Sequence, residues 1–182
     1  MPRHIFYKGA TAVLIMALSA CESVSTSDTT AESVFFEIKN TQAEVIGRAT
    51  LTDLGKKGVQ LDVKAFKISE GAHGIHFHVK ADCQAPDFKS AGGHINPKGH
   101  KHGLKNPHGP DNADMENLVA DKNQVTRYTF VNDRVTLRKR DDRPALLDAD
   151  GSALVIHASP DDQITQPIGG AGPRIACAEL KH

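Results

Sequence analysis

The sequence predicts an all-β domain: about eight short strands closed into a sandwich or barrel, with two long loops between them. Three observations lead there. Apolar and polar residues alternate with period two in runs of six to ten, not with a helical period. Fifteen Gly and nine Pro punctuate the 182 residues, which suits strands and shaped loops better than a helical bundle. Trp is absent and Tyr occurs twice, while ten His, most of them between His73 and His108, are far more than a fold needs. Hydrophobic residues at 39% and charged residues at 24% are ordinary values for a globular chain of one domain. The formal charge is zero with His neutral, so no basic excess points to a nucleic-acid partner and no block of like charge to a long solvated tail.

In chain order, residues 1–20 read as a signal peptide. Arg3 and Lys8 give a positive start, and residues 10–20 (ATAVLIMALSA) form an apolar core too short for a lasting transmembrane helix. It ends in Leu18-Ser19-Ala20-Cys21, which resembles the bacterial lipobox. Cys21 is then the lipidated N-terminus of the mature chain, anchored stably by its several acyl chains. Residues 21–32 are Ser/Thr-rich and read as a flexible tether, and residues 33–182 as the folded domain. Removing residues 1–20 takes Arg3 and Lys8 and no acid, so the mature chain carries two more acids than bases. Glu22 after the Cys resembles the sorting pattern of outer-membrane lipoproteins.

Strands are expected at 33–40, 43–52, 58–66, where apolar and polar residues alternate, and 74–79 (GIHFHV). From about Lys80 to Glu116 the chain is rich in Gly, Pro, His, Asp and Asn with almost no apolar periodicity. A loop of this length inside a compact domain is functional as a rule. Strands resume at 124–131, 134–139 and, after an Asp/Gly turn at 148–151, at 153–158 (ALVIHA). A second Asp/Gly/Pro-rich loop covers 159–173, and 174–180 (RIACAEL) closes the chain. With Cys21 lipidated, Cys83 and Cys177 remain as one pair, and in an exported chain they are expected to form a disulfide.

Residues two apart on a strand share a face, so His76 and His78 project together while Phe77 points into the core. His157 sits in an apolar strand, where an unpartnered imidazole is costly. His94, His102, His108, Asp111 and Asp114 lie in the long loop. Imidazole and carboxylate without thiolate suits copper or zinc rather than magnesium or calcium. The residues alone thus describe an exported β-protein with a His-rich metal site, and do not give a reaction.

The stretches Gly71-Ala72-His73-Gly74-Ile75-His76-Phe77-His78, Asp82-Cys83, Ala91-Gly92-Gly93-His94-Ile95-Asn96-Pro97, His102-Gly103, Leu154-Val155-Ile156-His157 and Gly172-Pro173-Arg174-Ile175-Ala176-Cys177 resemble the copper/zinc superoxide dismutase family, in its exported bacterial branch. In order and spacing they cover nearly all of residues 33–180. The resemblance implies a Greek-key, eight-stranded flattened barrel and the disproportionation of superoxide to oxygen and hydrogen peroxide. It implies copper on His76, His78, His94 and His157, with His94 shared between copper and zinc, and zinc on His94 and His102. It also implies the Cys83–Cys177 disulfide, Arg174 as the guide for the superoxide anion, and Asp161 as the carboxylate linking a copper His to a zinc His. The remaining zinc ligands stay open. A gapless reading gives Asp111 and Asp114; a three-residue shift gives His108 and Asp111, and we lean slightly to His108 because imidazole binds zinc better than a second carboxylate. His73 is expected to support the fold, and His100 to face solvent. Further implications are a periplasmic, lipid-anchored enzyme of a Gram-negative envelope and a homodimer as one option, since the family uses different faces in different branches. A copper-holding lipoprotein with little turnover is the competing reading, prompted by the altered zinc loop.

Overall fold

Among the described residues nine strands pair into one sheet. The computed structural model describes residues 31–182 together with residues 1, 2 and 4. The leader at 1–20 apart from those three positions, Cys21, and the tether up to residue 30 lie outside the described residues. The strands are β1 (Ser33–Asn40), β2 (Val45–Asp53), β3 (Val59–Phe66), β4 (Gly71–His73), β5 (Ile75–His78), β6 (Leu118–Ala120), β7 (Val125–Asn132), β8 (Ser152–His157) and β9 (Arg174–Leu180). All pair antiparallel in the order β4-β6-β7-β3-β2-β1-β9-β8-β5.

The two ends of that order, β4 and β5, are neighbours in sequence, separated only by Gly74. The sheet therefore curls until its edges meet, giving a nearly closed barrel with little free edge to protect. Gly74 is where the chain crosses from one edge to the other. Its N–H donates to Ser159 O and its carbonyl accepts His157 N–H, both at 2.9 Å. A Cβ there would lie 2.8 Å from Ala171 Cβ and 3.3 Å from His76 Cε1, so only glycine fits. The pairings of β3 with β7 and of β1 with β9 join strands distant in sequence, the Greek-key pattern.

The core follows the period-two reading. Val59, Leu61, Val63 and Ala65 of β3 are buried between Ile46, Ala49 and Leu51 of β2 and Ile75, Phe77, Leu154 and Ile156 of β5 and β8, within one apolar cluster. The Cys83–Cys177 disulfide forms, with Cα atoms 5.8 Å apart, and pins the long loop to β9 across 94 residues.

Three strand assignments are corrected. Residues 134–139 are not a strand. Val135 and Leu137 are buried as their alternation required, but the backbone pairs with 144–147 instead: Thr136 N–H donates to Pro144 O, and Leu146 and Leu147 N–H to Thr136 and Leu137 O. Only a single bridge, Thr136 with Ala145, has strand geometry. The short β4 and β6 were not expected; three residues each are too few to show a period, and pairing with each other makes them strands.

Candidate metal centre

β5 separates two environments. Ile75 and Phe77 enter the core, while His76 and His78 emerge on the outer side of the same strand, themselves buried under the loops. β8 lies beside β5 and carries His157 at its end. His94 comes from the long loop, held against β5 by a single antiparallel bridge to His78. The four imidazoles crowd together: ring centres are 4.2 Å apart for His76 and His94, 5.1 Å for His78 and His94, and 5.1 Å for His76 and His157.

One nitrogen of each ring is committed to the protein. His78 Nδ1 bonds Gly92 O at 2.8 Å, His157 Nδ1 bonds Gly172 O at 3.0 Å, and His76 Nε2 bonds Asp161 Oδ2 at 2.8 Å. His94 Nδ1 lies 3.0 Å from Asp111 Oδ2. The opposite nitrogens, His76 Nδ1, His78 Nε2, His94 Nε2 and His157 Nε2, are buried without a hydrogen-bond partner. A second set lies alongside. Donor atoms of His94, His102, Asp111 and Asp114 fall within 4.8 Å of one another, as do those of His76, His78 and His157. His102 Nδ1 and Asp114 Oδ1 are 2.6 Å apart, yet neither has a hydrogen-bond partner of acceptable alignment.

The two sets are cross-linked by one carboxylate. Asp161 Oδ2 meets His76, and Oδ1 meets His102 Nε2 at 3.0 Å and Gln163 N–H at 2.6 Å. Asn117 holds the Asp161 backbone from both sides. Burial opposes its ionisation, but His102, His76 and the Gln163 amide prevail and hold it well below the usual carboxylate range. Burial likewise decides the imidazoles of the first set. It pushes His76 down to about 3, His157 to about 4 and His78 well below its usual value, so all three are neutral and able to donate a lone pair at neutral pH. Burial also disfavours the His102 cation, but the carboxylates of Asp114 and Asp161 on either side raise it to about 10.

His108 does not join this centre. It is exposed, its N–H donates to Asn106 Oδ1, and its carbonyl accepts Lys101 N–H. Turns from Gly103 to Gly109 hold that segment outward. Asp111 folds inward instead, its Oδ1 accepting the amides of Ala113 and Asp114, while Asp114 Oδ2 accepts those of Gly103 and Asp111. The slight lean towards His108 is thus corrected: the structure brings Asp111 and Asp114 to His94 and His102 because local turn hydrogen bonds fix the loop. His73 is buried and links His157 O to Ser69 O, and His100 is exposed, bonded to Pro110 O.

Arg174 opens β9 beside His157. Its guanidinium donates to Phe88 O and Gly92 O, each at 2.6 Å, so the Gly92 carbonyl receives both Arg174 and His78. Burial lowers its pKa somewhat, but a guanidinium stays charged. Arg174, His157, Lys89, Thr41 and Gly172 line an open pocket of about 600 Å³.

Sequence reasoning missed two residues of this architecture. Arg134 donates to the backbone carbonyls of both Asp111 and Asp114, clamping the acidic turn. Gly169, at φ +59°, packs on Asp161; a Cβ there would lie 2.6 Å from Asp161 Cγ and closer still to Oδ1. The pair Gly169-Gly170 was the available signal, but it does not say which carboxylate it shelters. Gly169→Ala is expected to push Asp161 off His76 and His102 and to weaken both metal sites about 10- to 100-fold. Gly170→Ala is the control, since it has a similar φ of +70° and nothing within 4 Å. Chelator-competition titrations check this; equal metal affinities in the two variants would show that Asp161 is not displaced.

Buried imidazole nitrogens with no protein partner are costly unless a cation bonds them. Nitrogen-rich and nitrogen–carboxylate donor sets of this kind fit copper and zinc, so the fold and site define a two-metal β-barrel protein. Comparison with known proteins agrees and narrows the class. The family model for copper/zinc superoxide dismutase matches residues 45–180. A copper–zinc superoxide dismutase of Caulobacter vibrioides is 45% identical over 136 residues, covering 74% of this chain and 78% of its own. One from Aquifex aeolicus is 42% identical over 146 residues, covering 80% and 84%. The crystal structure of a superoxide dismutase-like protein from Bacillus subtilis superposes with a TM-score of 0.77 at 31% identity, covering 80% of this chain and 97% of that one. The chain belongs to the copper/zinc superoxide dismutase family. It is an oxidoreductase whose cofactors are copper and zinc.

Proposed function

We propose that the chain disproportionates superoxide in the envelope of a Gram-negative bacterium, as a periplasmic protein lipid-anchored through Cys21. Copper is held by His76, His78, His94 and His157, and zinc by His94, His102, Asp111 and Asp114. The observation that carries the site assignment is the set of buried, unpartnered nitrogens on rings whose other nitrogen is already bonded. The disulfide supports export, because such bonds persist in oxidising compartments.

Copper, when bound, supplies reversible one-electron chemistry that takes an electron from one superoxide and gives it to a second. The protein's own residues do the rest. The carbonyls of Gly92 and Gly172 and the Asp161 carboxylate fix the tautomers and orientations of His78, His157 and His76. His94 Nε2, whenever it is not engaged by the metal, would take up a proton from solvent and give it to the peroxide product, the second proton coming from water, while Nδ1 stays beside Asp111. His94, His102, Asp111 and Asp114 would hold zinc, which would supply fixed positive charge and restrain the His94 ring. Arg174, anchored on two carbonyls at the pocket, presents fixed positive charge to a small anion.

The deciding experiment is the rate of superoxide decay catalysed by the protein loaded with copper and zinc. A rate approaching the diffusional range that falls as salt rises supports the enzyme and its electrostatic guidance. No acceleration with copper verified in the protein makes it a copper-holding module. Arg174→Ala is expected to lower the rate about tenfold or more and to flatten its salt dependence with copper content unchanged. An unchanged rate removes the guiding role.

A further inference from the structure

The outer face of β2, β3 and β7 contributes no residue to the metal centre, whose strand ligands come from β5 and β8 at one end of the strand order. On this face Arg48 is paired directly with Lys64, and Lys64 directly with Arg127, so three cations stand in one cross-strand row. Like charges in directly opposed positions destabilise a sheet. Among the described residues none of the three is ion-paired; Arg48 lies instead over the exposed Phe35 ring, 4.3 Å from its centre. The acids nearby do not neutralise the row. Glu37 faces Arg48 in register without bonding it, and Asp62 accepts from Gln60 Nε2 and Thr129 Oγ1 while keeping its charge, so two carboxylates stand against three cations and the row stays net positive. Apolar side chains are exposed around the cations: Phe35 at 61%, Val45 and Phe66 at 47%, and Val131 at 44%. Val45, Arg48, Lys64, Phe66 and Arg127 line a shallow groove of about 680 Å³. In a chain of zero formal charge this is a local concentration of positive and apolar surface.

We propose that this face docks the barrel on an anionic phospholipid bilayer. Unpaired Arg and Lys are attracted to headgroup phosphates, and exposed aromatic rings settle at the headgroup level. Neither feature alone selects a bilayer; together on one sheet face they do. β1 begins 12 residues after Cys21, so a lipid there would keep the barrel within roughly 40 Å of the surface. That clause rests on the lipid-anchor reading, whereas the charge row does not.

The test uses the metal-loaded mature chain, residues 21–182, carrying Cys21→Ser, which has neither leader nor lipid, in sedimentation with vesicles. Binding is expected to vesicles containing phosphatidylglycerol and not to pure phosphatidylcholine, and to weaken as salt rises. Combined Arg48→Gln, Lys64→Gln and Arg127→Gln is expected to weaken it about a hundredfold with superoxide decay unchanged. Binding that ignores vesicle charge, no binding at all, or equal binding by the triple variant overturns the proposal. So does sedimentation analysis showing a dimer that the triple variant dissolves, because the face would then hold a second copy. The lipid-anchor reading is judged separately, by whether the chain with Cys21 intact binds neutral vesicles where Cys21→Ser does not.

Discussion

In the metal-free protein, stability is expected to peak near pH 6.5 and to fall on both sides. On the acid side, His76 and His157 are held by burial at about 3 and about 4 in the folded chain, while in the unfolded chain they titrate near 6.5. Their folded pKa values are depressed, so below 6.5 the unfolded chain binds more protons and stability drops as pH falls. Each costs about 1.4 kcal/mol per pH unit, down to about pH 4 for His157 and about pH 3 for His76. His78, depressed for the same reason, adds to the loss. On the alkaline side the sign reverses at His102. Asp114 and Asp161 raise it to about 10, so its contribution is complete below 6.5 and is lost as pH rises through about 10. Urea titrations of the metal-free protein from pH 4 to 10 read the profile directly. With copper and zinc bound, the imidazole lone pairs are committed to cations and the acid limb is expected to move to lower pH. A metal-free profile flat between pH 4 and 6.5 would mean these imidazoles are not buried neutral.

Breaking the disulfide is the second large effect. Cys83 and Cys177 close a loop of 94 residues, and in the chain-entropy model that restraint on the unfolded state amounts to about 4–5 kcal/mol. Cys83→Ser with Cys177→Ser is expected to lower unfolding stability by that order. The loss should extend to the site. Cys83 lies in the loop that also supplies the Phe88 and Gly92 carbonyls to Arg174, and its own N–H is held by Glu179 Oε1. Once that loop is freed from β9, Arg174 and His78 lose a fixed partner, so catalytic rate should fall with the stability. Denaturant titration together with superoxide decay measures both. A stability loss below about 1 kcal/mol would show that the loop is held chiefly by the packing of Phe88 and Ala91 against Val155 and Cys177.

How much of this was legible beforehand depends on how local the signal was. Period two placed β3, short apolar runs bounded by turn residues placed β1, β2, β8 and β9, and the spacing of His76 and His78 put both imidazoles on one side of β5 with Phe77 opposite. The residues at 134–139 carried the same alternation and are not a strand, because their hydrogen bonds are taken by 144–147. Alternation picked out Val135 and Leu137 as buried, but Thr136 between them is buried too, and it did not show where the backbone finds its partners.

The sequence by itself determined the all-β class, the grouping of imidazoles and carboxylates, the cysteine pair and the family. These rest on residue identity and short spacings, which survive without coordinates. Tertiary structure alone decided the rest. It chose Asp111 and Asp114 over His108, because turns within 103–114 set which side chains point inward. It placed Gly169 against Asp161 and Arg134 on the acidic turn, contacts between segments 8 and more residues apart. It also lined up Arg48, Lys64 and Arg127 in one row from three strands. Each of these depends on register and on the path of a long loop. Those are fixed by the sum of many distant contacts, which no local pattern encodes.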